Sequence, residues 1–432
     1  MLPLTTRVAI IGAGPAGLSA AMALKERGFR DVTVLEKEPE VGGKCHSFRF
    51  EGHVYDLGAN LTTPRYRSIR ALADRLGMTR RKVADRRIVN IGAEQFDSLA
   101  DASVLERLLV RTGASVYSRM RHLTGIDRNG YRGLRDAVEQ PFDRWLQRHG
   151  LGAFKELFEV LFVAYGYGQM GDLPAAYALK FFDPIHVQAS VDTILGRDVP
   201  FTTDFVEGFQ ELWVRVDREY EIGAKCGVNV RAVRRSPRGV DITWTAGEGP
   251  GLEQTERFDK LVLACPFPEA LRFLDASPLE MRLFGQVKTN QYFTTVAQVR
   301  NMPDLSTYVY PYARRFTPGQ PTVFYPPVEG DDDVFVCYAY GGEGVTVDTV
   351  RKNIVAAIEA PGLGGKVERF LHTQHWNYFP HVDSPAMQGG FYDDFENMQG
   401  EFHTFYVGEL LAFTLVELIH DHARQVVDRY FA

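Results

Sequence analysis

Residues 7–36 carry the most specific chemistry in this chain. Arg7-Val8-Ala9-Ile10-Ile11 predicts a short buried strand. It runs straight into Gly12-Ala13-Gly14-Pro15-Ala16-Gly17, a complete G-x-G-x-x-G. That spacing suits a dinucleotide. The first glycine permits a tight turn, the second lets backbone approach a pyrophosphate, and the third lets a helix pack closely on the strand. Residues 18–27 predict that helix, ended by Gly28. Its N-terminus offers unpaired N–H groups and a positive dipole end to phosphates. Residues 31–35 predict a second strand closed by Glu36, whose carboxylate can accept both hydroxyls of an adenosine ribose. The turn alone would be weak evidence. Strand, helix, second strand and terminal acid in register make it specific.

Further groups follow in order. Gly42-Gly43-Lys44 pairs glycines that admit a ligand with a charge that suits phosphates. Tyr55-Asp56-Leu57-Gly58-Ala59-Asn60 places a small turn after a strand, where backbone N–H groups could meet a flat ring edge. The basic run 80–87 suits a solvated face, or an inward-pointing Arg86 or Arg87 that binds an anion beside Ile88-Val89. Ala164-Tyr165-Gly166-Tyr167-Gly168 breaks a helical region with two glycines and two tyrosines. Thr404-Phe405-Tyr406-Val407-Gly408-Glu409 sets an acid at a strand's carboxyl end, where a ribityl chain would lie at the topological switch point.

The elements that must hold these groups follow from periodicity. Residues 99–188 read as helices, with Phe142, Trp145 and Leu146 on one face. A helix is expected at 210–220 and a hairpin at 228–233 and 240–244. A parallel strand at 258–266 returns the chain to the nucleotide sheet. Residues 293–299, 322–325 and 334–340 alternate as half-buried antiparallel strands do, and 374–381 is an aromatic strand. Helices are expected at 66–76, 346–358 and 415–430.

With 432 residues, the chain can form two or three domains and a large core. Hydrophobic residues are 45% and charged residues 24%, an ordinary globular balance. A net charge of −6 gives no electrostatic reason to expect nucleic acid. Cys45, Cys226, Cys265 and Cys337 form no C-x-x-C pair, which favours reduced thiols and a cytoplasmic location. The first motif lies too near Met1 for a signal peptide. Residues 405–419 are too short and too acidic for a transmembrane segment.

Together, Gly12 to Gly17 with Glu36, Gly42-Gly43-Lys44, Asp56-Leu57-Gly58-Ala59 and Val407-Gly408-Glu409 resemble the FAD-binding fold of the flavin amine oxidase superfamily. The resemblance implies an α/β chain. It has a Rossmann-like FAD-binding domain (1–78, 204–268, 396–432), a mixed-sheet substrate domain (79–98, 269–395) and a helical cap (99–203). It implies cofactor contacts at Gly12, Gly14, Pro15, Ala16, Gly17, Glu36, Lys37, Gly42, Gly43, Lys44, Gly58, Ala59, Asn60, Val233, Gly408, Glu409 and Val416. No cysteine follows Cys337, so FAD is expected to be non-covalent.

Three longer stretches look like the bacterial polyunsaturated fatty acid double-bond isomerase branch. They are Val41 to Ser47, Ala164 to Gly168 with Leu173 to Lys180, and Trp376 to Val382 with Asn397 to Gly400 and Thr404 to Glu409. The resemblance implies hydride removal from a bis-allylic carbon to flavin N5, and return to another carbon of the pentadienyl unit. The expected substrate is a small apolar molecule with a carboxylate. Arg87, preferred over Arg86, is the expected anchor. Tyr338, Tyr340, Trp376 and Phe379 are the expected aromatic wall. Residues 184–190 lack the aromatic bulk expected of the segment that gates the tunnel, so the substrate could differ from an ordinary fatty acid. The alternative is net oxidation of an amine or polyene. The lysine many amine oxidases place near N5 has no secure match, Lys288 being nearest.

Overall fold

The computed structural model describes residues 2–83, 86–90, 104–134, 138–194, 202–247, 251–302, 306–310, 317–326, 333–360 and 363–432. Its first layer is a four-stranded parallel sheet in the order Thr404–Tyr406, Lys260–Leu263, Val8–Ile11 and Val32–Leu35. Strands covered on both faces read as unbroken apolar runs, and Val8–Ile11 is buried at every position. The helix Pro15–Glu26 starts with proline at its first turn, after Gly14. There the fixed ring and missing N–H cost nothing. The helix Val416–Tyr430 packs against it, with Ser19 Oγ 2.8 Å from His420 Nδ1. First and last segments of the chain thus share one layer.

A second sheet has six strands: Lys366–His381, Lys288–Arg300, Val334–Tyr340, Pro321–Tyr325, Ser306–Tyr310 and Arg86–Asn90. All neighbours are antiparallel except the last pair. The sheet is therefore mixed, as expected. The helices Val104–Leu123, Phe142–Arg148, Lys155–Ala164, Ala175–Phe181 and Pro184–Ile194 fill the region read as helical. Val160, Val163 and Ala164 bury themselves against Tyr308, Val323, Tyr292 and Tyr340 of the sheet. None of the described helices is long and apolar enough to cross a membrane.

Three local readings need correction. The expected hairpin Val228–Ser236 and Gly239–Ala246 gains a third strand, Glu253–Phe258. Its residues are mostly exposed and polar, so no alternation marked it. The aromatic strand begins at Lys366, well before 374, and pairs with Lys288–Arg300 through several register shifts. The basic run splits in two. Arg80–Lys82 pairs with Thr203–Phe205, and half-buried Arg81 grips Asp204 with bonds of 2.8 and 3.0 Å. Arg81 is therefore committed to structure, not to solvent.

One buried ion pair fastens the small sheet to the end of the parallel sheet. Arg235 and Glu280 are 2% and 0% exposed. The guanidinium meets both carboxylate oxygens, at 2.6 and 2.7 Å, and Asp275 at 2.7 Å. Tyr406, on the last strand, donates to the same carboxylate at 2.5 Å. Removing one partner of such a pair leaves a charge buried without compensation. Glu280→Gln should therefore lower stability by about 3 kcal/mol, read by urea unfolding; an unchanged midpoint would show that Asp275 alone suffices.

Candidate functional site

The turn after the first strand is defined by clearances. A Cβ on Gly12 would stand 2.9 Å from the Ala264 carbonyl oxygen, and one on Gly17 would overlap the Gly12 carbonyl oxygen at 1.9 Å. Gly17 therefore fixes the helix against the strand, and it does not line the cavity. A Cβ on Gly43 would sit 2.9 Å from the Gly14 Cα, so these two glycines bring two backbones together. Glu36 is buried at 7% exposure. Its carboxylate accepts the Ala13 N–H at 2.6 Å and the Glu38 N–H at 2.9 Å. The acid holds the turn from which it would also reach a ribose.

A single cavity of about 1130 Å³ runs from this turn to the antiparallel sheet. Gly12, Gly14, Pro15, Ala16, Glu36, Lys37, Gly43, Lys44, Gly58, Ala59, Asn60, Gly408, Glu409 and Val416 all line it. Lys44 and Glu409 form a close ion pair across it. Neither is therefore a lone charge, as each had been read. Lys37 reaches Glu269 at 3.2 Å. Gly42 stands behind the wall, its N–H on the Ala13 carbonyl at 2.9 Å.

Two expectations for this end change. Gly58 is required by packing, because its Cβ would overlap the Lys44 carbonyl oxygen at 1.8 Å. The Ala59 N–H donates to that same oxygen at 3.0 Å, so it is not open to a ring edge. Val233 is fully buried outside the cavity lining and donates its N–H to the carbonyl of Phe273, a lining residue, at 2.8 Å. Residues 228–231 form the wall there instead. The register shift between Val230 and Ala232 alters which residues face it.

The far half of the cavity is aromatic. Tyr165, Tyr167, Tyr292, Tyr308, Tyr325, Tyr338, Trp376 and Tyr378 line it. Gly166, at φ 86°, lets the chain press on the rings of Tyr292 and Tyr378, where a Cβ would stand 3.0 Å away. The hydroxyls are mostly engaged. Tyr165 and Tyr308 meet at 2.9 Å, Asn60 donates to Tyr338 at 2.8 Å, and Tyr325 donates to Asp204 at 3.1 Å. Burial pushes the Tyr338 and Tyr378 phenols well above their ordinary range. Trp376 Nε1 donates to the Leu57 carbonyl at 2.9 Å, fixing the indole beside the Gly58 turn.

Phe379 is placed differently. At φ 47° and 1% exposure, it is buried against Tyr167, Tyr177 and Phe413. It stands outside the cavity lining. Three residues along the strand from Trp376, it falls on the opposite face, while Trp376, Tyr378 and Pro380 share the cavity face. Tyr340 is also behind the wall, donating to the Val163 carbonyl and accepting the Gly168 N–H, each at 2.8 Å. Lys288 pairs with Asp383 at 2.7 Å, at a half-exposed position outside the lining. The backbone of Arg86 and Arg87 lies in the sheet's edge strand, in register with Ser306 and Thr307. Their side chains lie outside the described residues.

Sequence reasoning missed Ser306, Arg65, Asp183 and Thr414, all of which line the cavity. Ser306 is 3% exposed. Its hydroxyl and that of Thr414 are buried without a partner among the described residues. No periodic or motif signal marks these residues, since each depends on which strand or helix lies beside it.

Asp56 supports the site from behind. Its carboxylate accepts the Phe209 N–H at 2.9 and 3.1 Å, and the Ser47 hydroxyl at 2.5 Å. It thus joins the Gly58 turn to the helix Phe209–Glu219. Burial raises its pKa to about 7, outweighing the hydrogen bonds from Ser47 and Phe209. A raised folded pKa favours the neutral acid in the fold. This contribution is fully present below the unfolded value of about 4. It is lost as pH rises through about 7. Wild type should therefore lose stability relative to Asp56→Asn between pH 5 and pH 8, measured by unfolding at each pH; parallel pH profiles would contradict the shift.

The comparisons with known proteins agree with this architecture. The CLA-producing fatty acid isomerase from P. acnes superposes with a TM-score of 0.89, at 29% identity over 100% of both chains. Protoporphyrinogen oxidase 2 of Arabidopsis thaliana is 46% identical over 72 residues, which is 17% of this chain and 14% of that protein. The polyenoic fatty acid isomerase of Ptilota filicina is 39% identical over 59 residues, 14% of this chain and 12% of that protein. The matched stretches thus span under a fifth of these curated relatives. Residues 15–300 match the flavin containing amine oxidoreductase family, and with its parallel sheet, glycine turns and shared cavity the chain belongs to that family.

Proposed function

We propose that the protein is an FAD-dependent double-bond isomerase of a polyunsaturated fatty acid or a similar apolar polyene carboxylic acid. The observation that carries the reading is the single cavity, which joins the glycine turns to a wall of tyrosines. The residues present fit FAD. Gly14 and Gly43 leave bare backbone for a pyrophosphate. Glu36 stands where a ribose would lie, and the Thr414 hydroxyl is buried without a partner at the other end. The helix Val416–Tyr430 begins beside it with no side-chain cap. The absence of a cysteine after Cys337 supports non-covalent binding.

When bound, FAD supplies a hydride acceptor and donor at flavin N5. The chain's own residues hold the substrate and exclude water. Delocalised positive charge on a pentadienyl unit is favoured by ring faces, by about 1 kcal/mol or more when desolvated. Tyr338, Trp376 and Tyr378 offer such faces. Their polar atoms are turned to protein partners or kept neutral by burial, so no strong base is needed or presented there. The carboxylate would be held at the sheet edge, where Ser306 sets an unpartnered hydroxyl beside the Arg86–Asn90 strand. Arg87 remains the preferred anchor and Arg86 its neighbour. A bidentate guanidinium pair would fix which carbon faces the flavin.

Net oxidation is the second reading, because the short local match to protoporphyrinogen oxidase 2 falls within the same superfamily. One experiment separates the two: anaerobic turnover with a deuterium-labelled polyunsaturated acid, followed by mass spectrometry. Product of unchanged mass, with label at a second carbon, is expected. A product three mass units lighter, having lost the deuteride and a proton, with one equivalent of reduced flavin, would put oxidation first. Glu36→Ala should weaken FAD binding by roughly 1.5–3 kcal/mol, through loss of charge-assisted bonds; an unchanged dissociation constant would remove Glu36 from the ribose.

A further inference from the structure

The aromatic half of the cavity contains one feature that a plain hydrocarbon chain does not need. Arg65 and Asp183 both line it, with side chains 15% and 8% exposed. They come from separate parts of the chain: Arg65 precedes the helix Arg67–Arg75, and Asp183 precedes the helix Pro184–Ile194. Among the described residues, Arg65 Nη1 makes the contacts of this guanidinium, to Asp183 Oδ2 at 3.0 Å and to the Lys180 carbonyl. Among the described residues its Nε and Nη2 have no partner. Asp183 Oδ1 accepts the N–H groups of Ile185 and His186, at 2.8 and 3.2 Å. Oδ2 accepts only Arg65, which leaves it one lone pair.

Capping the helix explains Oδ1. It does not explain a guanidinium with two unused donor groups in an aromatic cavity. Taking both charges out of water is unfavourable unless further hydrogen bonds satisfy them. The pair is neutral overall and offers donors and an acceptor side by side. That combination suits a group that both accepts and donates, which is a hydroxyl. A carboxylate would find Asp183 repulsive. His186, its ring tilted against Phe181 with centroids 4.7 Å apart, also lines this part of the cavity. It belongs to the segment that lacks the aromatic bulk expected of a gate.

We infer that Arg65 and Asp183 form a hydroxyl-recognition site, and that the preferred substrate is a polyunsaturated acid bearing a hydroxyl on its chain. This rests on the polyene-acid reading above. The test titrates the holoenzyme anaerobically with a diene fatty acid, and with its monohydroxylated counterparts carrying the hydroxyl at successive carbons. Binding is followed through the flavin spectrum. One hydroxylated isomer should bind at least about tenfold more tightly than the parent acid, the size of one hydrogen bond to a charged group. Arg65→Met should abolish that difference and leave the parent acid within about twofold of wild type. Arg65→Lys keeps the charge but loses the fork, and should retain the fold while losing most of the preference. Equal affinity for all the acids in wild type would overturn this inference alone. Equal weakening of parent and hydroxylated acids in Arg65→Met would make the arginine a structural prop and overturn it too. A wild type that binds no acid at all would overturn both this inference and the polyene-acid reading.

Discussion

Two places where backbone passes backbone with no side chain between them set the geometry of everything else. At one, the helix Pro15–Glu26 is drawn onto the first strand until Gly17 touches the Gly12 carbonyl. At the other, Gly58 rests on the Lys44 carbonyl. The first contact aims the helix N-terminus at the cavity. The second stacks the Gly42-Gly43-Lys44 turn on the Gly58 turn, so both reach one space. Interiors are packed too densely to absorb an added methyl at such crossings. The position of Trp376 is tied to the same contact, since its indole donates to Leu57 just before Gly58.

The aromatic end obeys a different constraint. Its tyrosines are polar molecules serving as an apolar wall, and this works only if each hydroxyl is dealt with. Pairing Tyr165 with Tyr308, and Tyr325 with Asp204, turns hydroxyls onto protein. Asp204 is in turn held by Arg81, which lies on the short strand paired with Thr203–Phe205. The chamber's inner surface therefore depends on a charge in a sequence run that looked like ordinary solvated lysine and arginine.

Much of the nucleotide layer was legible in the sequence because its rules are local. Gly12, Gly14, Pro15 and Glu36 sit where the turn spacing demands, and strands at Val8–Ile11 and Lys260–Leu263 follow from apolar runs. The same holds for the alternating strands of the six-stranded sheet. What was misread depends on long-range neighbours. Phe379 was grouped with Trp376 as one aromatic wall, although a three-residue spacing along a strand puts the two on opposite faces. Lys44 and Glu409 were read one at a time, and only the fold shows them meeting each other across the cavity they both line. Arg65 carried no signal at all, because its meaning comes from Asp183, far along the chain. Glu253–Phe258 was overlooked because an exposed edge strand has no apolar face to display.

The order of strands in the parallel sheet bears on how the protein is made. Val8–Ile11 lies between Val32–Leu35 and Lys260–Leu263, and Lys260–Leu263 needs Thr404–Tyr406 on its other side. The sheet therefore stays incomplete on the ribosome until residues near 406 have emerged. Pairings of such long sequence separation form slowly, because loop closure must precede the contacts that reward it. In the interval, the apolar surface of Pro15–Glu26 lacks its partner helix Val416–Tyr430. The cofactor cradle shares that delay, since Gly408 and Glu409 belong to its wall. A nascent chain can thus shape its first glycine turn early, yet hold a complete binding site only once residues near 409 have emerged.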